Sequence, residues 1–503
     1  MNRQSILVID LSSSACTVHA FNEKGTVISK CKKTYKNYCY NDKWVELDPD
    51  EIWEVILSTI GSILTDKDQL NVAGIGITAQ LGLVPVDQLG NACAPIMTWM
   101  DQRAEKQADA IKEKIGNDLV YKSTGRRISA ELSAPKILWY KEERSPIYQN
   151  ATKFLSLKDY IIAKFTGKLT TDPAHAGYSM LYNVEKQAWD LELIRELGID
   201  VCKLPEVNQC HTIIGTVRRE VAIESGLREG IPVSTGGPDG SMGTLGAGAV
   251  SPGSTVNVVG TTDVFFTCAD RPVFDPHMRT IVNCHVVPGL WNIGGPMTTA
   301  GGCLQWFLNE FGFAEKEMAK KISGSEYEIF DREAASVSPG SDGLLFFTCL
   351  VGERAPNWDS NVRGSIIGLT PNTSRESVIR AIYEGSSYAV KRIIDIIEEL
   401  GIEIKEVYMT GGGANSPIWQ QIRADVTGKK YLVPKVNEST ALGAFIAIAV
   451  GVGVFDDFDK AIEKLHVIDS CANPNQEINK AYQKVYENYK RAFGLLQQIY
   501  CPY

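Results

Sequence analysis

The 503-residue chain carries 51 Lys and Arg against 60 Asp and Glu, a formal net charge of −9, with 44% hydrophobic and 22% charged residues. That length exceeds a single core and predicts two large domains or three to four smaller ones. The acidic balance, relieved only by pairs such as Lys32-Lys33 and Lys429-Lys430, excludes a nucleic-acid partner.

The N-terminal stretch leads into four apolar residues before Asp10, too few for a signal-peptide core. Twelve cysteines without a Cys-x-x-Cys pair read as reduced thiols of a cytoplasmic protein. Ile6-Leu7-Val8-Ile9 predicts a strand that runs into the small, polar tip Asp10-Leu11-Ser12-Ser13-Ser14, and Thr17-Val18-His19-Ala20-Phe21 predicts the returning strand of a hairpin. Helical patterns follow at 48–65, 134–142 and 157–166, with a strand at 72–77.

Gly236-Gly237-Pro238-Asp239-Gly240-Ser241-Met242-Gly243 places one carboxylate in a glycine-rich turn, where a ligand can come close to the main chain. A plain surface turn has the same composition. Residues 246–254, uncharged and small, predict a crossover or hinge between domains. A second hairpin, Ser254-Thr255-Val256-Asn257-Val258-Val259 with Val264-Phe265-Phe266 across the tip Gly260-Thr261-Thr262, repeats the first about 250 residues later and suggests two related halves.

Residues 375–400 predict a long amphipathic helix, 404–409 a strand, and 410–417 a glycine loop before a helix at 418–426. Glycines between a strand and a helix can point main-chain N–H groups at a nucleotide. The uncharged run 441–455 falls short of the roughly 20 residues that span a bilayer. It reads as a buried core helix, with no membrane partner. Strands and helices in this mixture give an α/β fold.

Taken in order, the segment from Asp10 to Thr17, Trp99-Met100-Asp101-Gln102-Arg103-Ala104, the Gly-Pro-Asp-Gly stretch, Gly352-Glu353-Arg354-Ala355-Pro356, Gly364-Ser365-Ile366-Ile367-Gly368-Leu369-Thr370, the glycines from 411 and Ala441-Leu442-Gly443-Ala444 resemble the FGGY family of carbohydrate kinases, nearest its xylulokinase branch. The resemblance implies two ribonuclease-H-like domains of the actin and Hsp70 type, at 1–247 and 254–503, with the active site in the cleft between them. It implies ATP and Mg²⁺ as cofactors and a small sugar or polyol as partner, with D-xylulose the default acceptor. A homodimer stays open.

Carried onto this chain, the family roles make Asp239 the general base and Asp10 the Mg²⁺ ligand. Ser12, Ser13, Ser14, Gly260, Thr261 and Thr262 would hold phosphates. Gly412, Gly413, Ala414 and Asn415 would line the adenosine pocket, while Gln80, Trp99, Asp101, Arg103, Asp239 and Gly240 would surround the acceptor. A core role for Trp99 and a structural ion pair between Asp101 and Arg103 are the alternatives there. Glu353 and Arg354 are expected to be scaffold.

Several positions depart from the family pattern. Ser12 replaces a glycine and Thr17 a cation in the first phosphate loop. Gln80-Leu81-Gly82-Leu83 lacks a polar side chain expected on the acceptor, and Gly240 lacks an amide. These losses predict an altered hydroxyl preference, which keeps other ketoses, polyols and aldonates as acceptors. An ATPase on the same scaffold and an inactive sugar sensor are the competing readings.

Overall fold

Apolar runs such as Ile6-Leu7-Val8-Ile9 become central strands because both of their faces are covered. Leu7, Ile9 and Leu11 pack toward Ile56 and Ile60 of the helix Pro49–Asp66, and Ile6 and Val8 toward Phe445 and Ile448 on the other side. Fully burying each such side chain contributes about 1.5–3 kcal/mol. The computed structural model describes residues 4–66, 70–435 and 438–500.

The first sheet runs from edge to edge as Ile213–Thr216, Pro232–Ser234, Asn71–Ala79, Gln4–Leu11, Ala15–Asn22 and Val27–Thr34, and Gly237–Pro238 pairs with the end of Asn71–Ala79. The second runs as Ile468–Ala472, Tyr431–Pro434, Glu406–Thr410, Ser254–Val259, Thr262–Ala269, Trp291–Thr299 and Ile281–Cys284. Each has an antiparallel edge strand, three parallel strands and then antiparallel hairpin strands. The repeated hairpin of the sequence is therefore one part of a wholly repeated sheet. A smaller five-stranded sheet, from Tyr38–Asn41 to Lys153–Ser156, extends the first half.

Helices fall close to their expected positions, at Ser133–Glu143, Leu157–Thr166, Arg375–Glu399 and Pro417–Thr427. Leu157–Thr166 carries the clearest local instructions: a capping box between Ser156 and Asp159 starts it, and left-handed Gly167 ends it.

Two features differ from the expectations. The crossover 246–254 is not a slack hinge: Ala247 and Ala249 are fully buried, the Gly253 N–H donates to the Cys268 carbonyl at 2.9 Å, and the Lys405 N–H donates to the Gly253 carbonyl at 3.0 Å. The apolar run near residue 445 is a buried helix, Ser439–Gly451, but it lies on the first sheet although it comes between the strands Tyr431–Pro434 and Ile468–Ala472 of the second. A Cβ on Gly76 would stand 2.8 Å from the Ala444 carbonyl, and Phe21 stacks on Phe445 at 4.8 Å. The same helix crosses Asp239–Gly246 backbone to backbone, since a Cβ on Gly246 would overlap the Ser439 carbonyl and one on Gly443 the Met242 carbonyl. Among the described residues no helix is long and apolar enough to cross a membrane.

Candidate active site

Strand register brings two carboxylates to one end of the first sheet. Asp10 stands beside Thr78 on one side of the strand Asn71–Ala79, and Gly237–Pro238 pairs with Thr78 and Ala79 on the other. Asp239 follows at once. Left-handed Gly236 makes the bend, because its φ of 64° and a carbonyl of Ile77 against it leave no room for a side chain. The expected turn is instead a helix start, with Asp239 as the first residue of Asp239–Gly246.

The Gly240 N–H donates to Asp239 Oδ1 at 2.7 Å. Burial raises the Asp239 carboxyl above its usual range, opposed by that N–H and by His175, so desolvation outweighs the favourable helix end. Burial, then the charges of Asp239 and Glu438, push Asp10 up to about 7, with Lys30 and Lys32 opposing. Beside Gly240 a side chain would meet nothing within 4 Å. Asp239 itself is partly exposed and neighbours that open space.

The first phosphate tip is built on Asp10. Its chain is fixed from outside, by Tyr35 Oη donating to the Ser12 carbonyl and Asn37 Nδ2 to the Ser13 carbonyl at 2.7 Å. A cation does stand beside Thr17, on the neighbouring strand. Asp10, Thr17 and Lys32 form one row across three strands, with strands about 4.8 Å apart, so Lys32 projects from the same face and its charge reaches Asp10. Sequence reading missed Lys32, and only register reveals it. Cys16 beneath the tip is buried, with its thiol pushed up to about 12, and is inert.

In the second sheet Gly260 and Thr261 occupy the equivalent tip. The N–H groups of Gly301 and Gly302 donate to their carbonyls at 2.9 and 3.0 Å, which seats the tip on the helix Gly301–Phe311. Together with Gly412, Gly413 and Asn415 they line a cavity of about 890 Å³. Ala414 is buried behind it, and Thr262, itself exposed, starts the strand Thr262–Ala269 beside it. The glycine loop is a 3-10 turn, Gly412–Asn415, rather than a loose loop. The cavity's further walls were not foreseen: Trp306, Tyr327, Tyr383 and Trp419, with Asp331 Oδ1 accepting from Tyr383 Oη and Ser416 Oγ, each at 2.7 Å. Aromatic walls with one fixed polar group suit a nucleobase.

On the acceptor side the expected residues separate into two groups. Gln80 follows the central strand, accepts from Trp99 Nε1 at 3.1 Å and keeps a buried Nε2 without a partner among the described residues, while Trp99 is 37% exposed. Both lie beside the carboxylates. Asp101 and Arg103 do not reach the cleft: Arg103 Nη2 binds Asp101 at 2.6 Å and Glu46 at 2.7 Å, both side chains are nearly inaccessible, and the guanidinium lies 4.0 Å from the Trp44 ring. Their geometry is that of a structural clamp on the Trp99 loop. Glu353 likewise holds Arg392 at 2.6 Å and Asn357 at 2.8 Å, and Arg354 Nη2 reaches Glu131 in the other half at 3.4 Å.

A niche of about 30 Å³ is lined by Leu81, Gly82, Glu131, Lys136, His175 and Tyr178. Lys136 donates to the carbonyls of Thr98 and Glu131 at 2.6 and 2.9 Å. Arg126 lies flat on Tyr178 at 3.7 Å, buried, with Nε and Nη2 unpartnered among the described residues. Neither His175 nor Arg126 carries a motif that marks it in the sequence.

This arrangement has known counterparts. The family model for the N-terminal domain of the FGGY family of carbohydrate kinases matches residues 5–246, and that for its C-terminal domain matches 255–452. The chain is 31% identical to a gluconokinase of Bacillus subtilis over 90% of its own length and 89% of that protein. It is 28% identical to a xylulose kinase of Staphylococcus xylosus over 97% of its length and 99% of the relative's. A ligand-bound xylulose kinase from Lactobacillus acidophilus superposes with a TM-score of 0.91 at 24% identity, covering 99% of each chain, a likeness of fold. The chain belongs to the FGGY family of carbohydrate kinases, near its xylulokinase branch, and is an ATP-dependent sugar kinase of the actin and Hsp70 fold.

Proposed function

We propose that this enzyme phosphorylates a neutral ketopentose such as D-xylulose, with Asp239 as general base. The carrying observation is the Asp239 carboxyl, raised by burial, on a partly exposed residue next to the open space at Gly240 and brought by strand register beside Asp10. The acceptor hydroxyl gives its proton to Asp239 while its oxygen bonds the γ-phosphorus and the bond to the β-phosphate oxygen breaks. A raised carboxyl is the better base for that step. Lys136 is held by carbonyls and Lys158 by Asp159 and Asp172, so neither lysine is free to pair with an acid group. That favours an uncharged acceptor.

ATP would occupy the 890 Å³ cavity, with its phosphates toward Ser12, Ser13, Ser14, Gly260, Thr261 and Thr262. Asp10 fits a hard cation that keeps most of its ligands as water and phosphate: its half-buried carboxylate stands near two like charges that a divalent ion would offset. Magnesium, when bound there, neutralises charge on the β- and γ-phosphates. Closing the two halves, bridged already by Arg354 and Glu131, would exclude water.

A second reading, an aldonate acceptor, is favoured by the unpartnered Arg126 guanidinium. ADP release with Mg²⁺ and ATP, measured against ketoses, polyols, aldonates and glycerol, separates the two. Asp239→Asn is expected to lower turnover by about 10² or more while MgATP affinity stays within twofold. Near wild-type turnover in that variant overturns the base assignment.

A further inference from the structure

Behind the niche lies a buried ionic cluster that the phosphoryl-transfer chemistry does not use. Lys158 Nζ contacts Asp159 Oδ1 at 2.6 Å and Asp172 Oδ1 at 3.1 Å, and it donates to the Thr235 carbonyl at 2.6 Å, four residues before Asp239. Asp172 caps the short helix Pro173–Gly177, its Oδ2 accepting from the Ala174 and His175 N–H groups at 3.0 and 3.3 Å. Its Oδ1 faces His175 Nδ1 at 3.0 Å. All four side chains are buried. A cluster of this kind is costly to desolvate and is no better for stability than apolar packing, so its value lies in what it positions.

What it positions is the imidazole of His175. Against the cost of burial, the Lys158 charge and the hydrogen bond from His175 hold Asp172 below the usual carboxylate range, so it acts as an acceptor and fixes the proton of His175 on Nδ1. Nε2 then carries a lone pair. That nitrogen is buried and has no partner among the described residues, on a side chain that lines the niche with Leu81 and Gly82.

We propose that His175 is a specificity-determining residue of the acceptor site, its Nε2 accepting a hydrogen bond from a non-reacting hydroxyl of the polyhydroxy acceptor. The group compensates for the polar side chain absent at Leu81 and Gly82. An unpaired buried acceptor discriminates strongly against a ligand lacking the matching hydroxyl. Asp172 and Lys158 are positioning residues for it. The inference rests on the acceptor-kinase reading given above.

His175→Asn tests it, because the shorter amide keeps the donor to Asp172 and removes the reach of Nε2. With each acceptor that the wild type phosphorylates, the acceptor KM is expected to rise at least about tenfold, with kcat and the KM for MgATP within about threefold. His175→Gln, which returns a terminal amide to the height of Nε2, is expected to recover part of the loss. The wild type is expected to reject one deoxy acceptor at least about tenfold more strongly than His175→Asn does. Thermal melting of both variants reports folding. An acceptor KM within twofold of wild type in a folded His175→Asn protein overturns the role of His175 and leaves the kinase reading standing. A wild type that turns over no acceptor overturns that reading, and this inference with it.

Discussion

Lys32 shows how a charge lacking at one position can be offered by a neighbour in space. Thr17 has no charge to place against a phosphate, yet its cross-strand partner Lys32 points from the same face toward the side where Asp10 sits. If Lys32 serves MgATP, Lys32→Met raises the KM for MgATP about tenfold and leaves the acceptor KM unchanged, in line with a charge-assisted contact. Thr17→Arg in the same background restores it. Steady-state kinetics with each substrate varied in turn checks both outcomes, and an unchanged nucleotide KM removes Lys32 from the site. The sequence made Asp10 and Asp239 legible, because glycines and small hydroxylated residues around an acid are locally visible. It hid Lys32, His175 and Arg126, whose meaning comes only from register and from polar atoms left without partners.

Among the elements, the crossing of Asp239–Gly246 over Ser439–Gly451 sets the tightest tolerance. The two backbones touch at Gly246 and Gly443, so Gly246→Ala is expected to cost at least ~2 kcal/mol through overpacking. Gly240→Ala, nearly two turns earlier and facing open space, is expected not to lower stability. Urea denaturation of both variants compares them, and equal midpoints would mean that the crossing is looser than it looks. The helices that periodicity did name fall close to their places, since capping residues such as Ser156 and stops such as Gly167 are written locally. It did not say where Ser439–Gly451 would go. A helix apolar on all sides has no face that indicates its neighbour, and the residues that select the first sheet, Gly74 and Gly76, lie more than 350 positions away. The glycine run around Asp239 misled for a related reason: glycine disfavours a helix by propensity, and here close packing against another backbone requires it.

At the scale of the molecule, two copies of one sheet pattern are joined by a helix of the second half that packs on the sheet of the first. The fold class was legible from the repeated hairpin and the motif order, whereas this crossing over was not, because it is a property of both halves together. It has a consequence for how the protein is made. While the chain emerges from the ribosome, the face of the first sheet that carries Ile6, Val8, Gly74 and Gly76 stays bare until residue 451 has been synthesised, although every strand of that sheet is complete by residue 238. The N-terminal half must wait, partly folded, for a helix nearly 200 residues downstream. A fragment ending at residue 250 is therefore expected to aggregate when expressed alone and to become soluble when residues 251–503 are co-expressed as a second polypeptide, with solubility and acceptor-dependent ADP release as the readouts. A soluble, monomeric N-terminal fragment would show that the sheet finds other cover, and that birth order places no constraint on this enzyme.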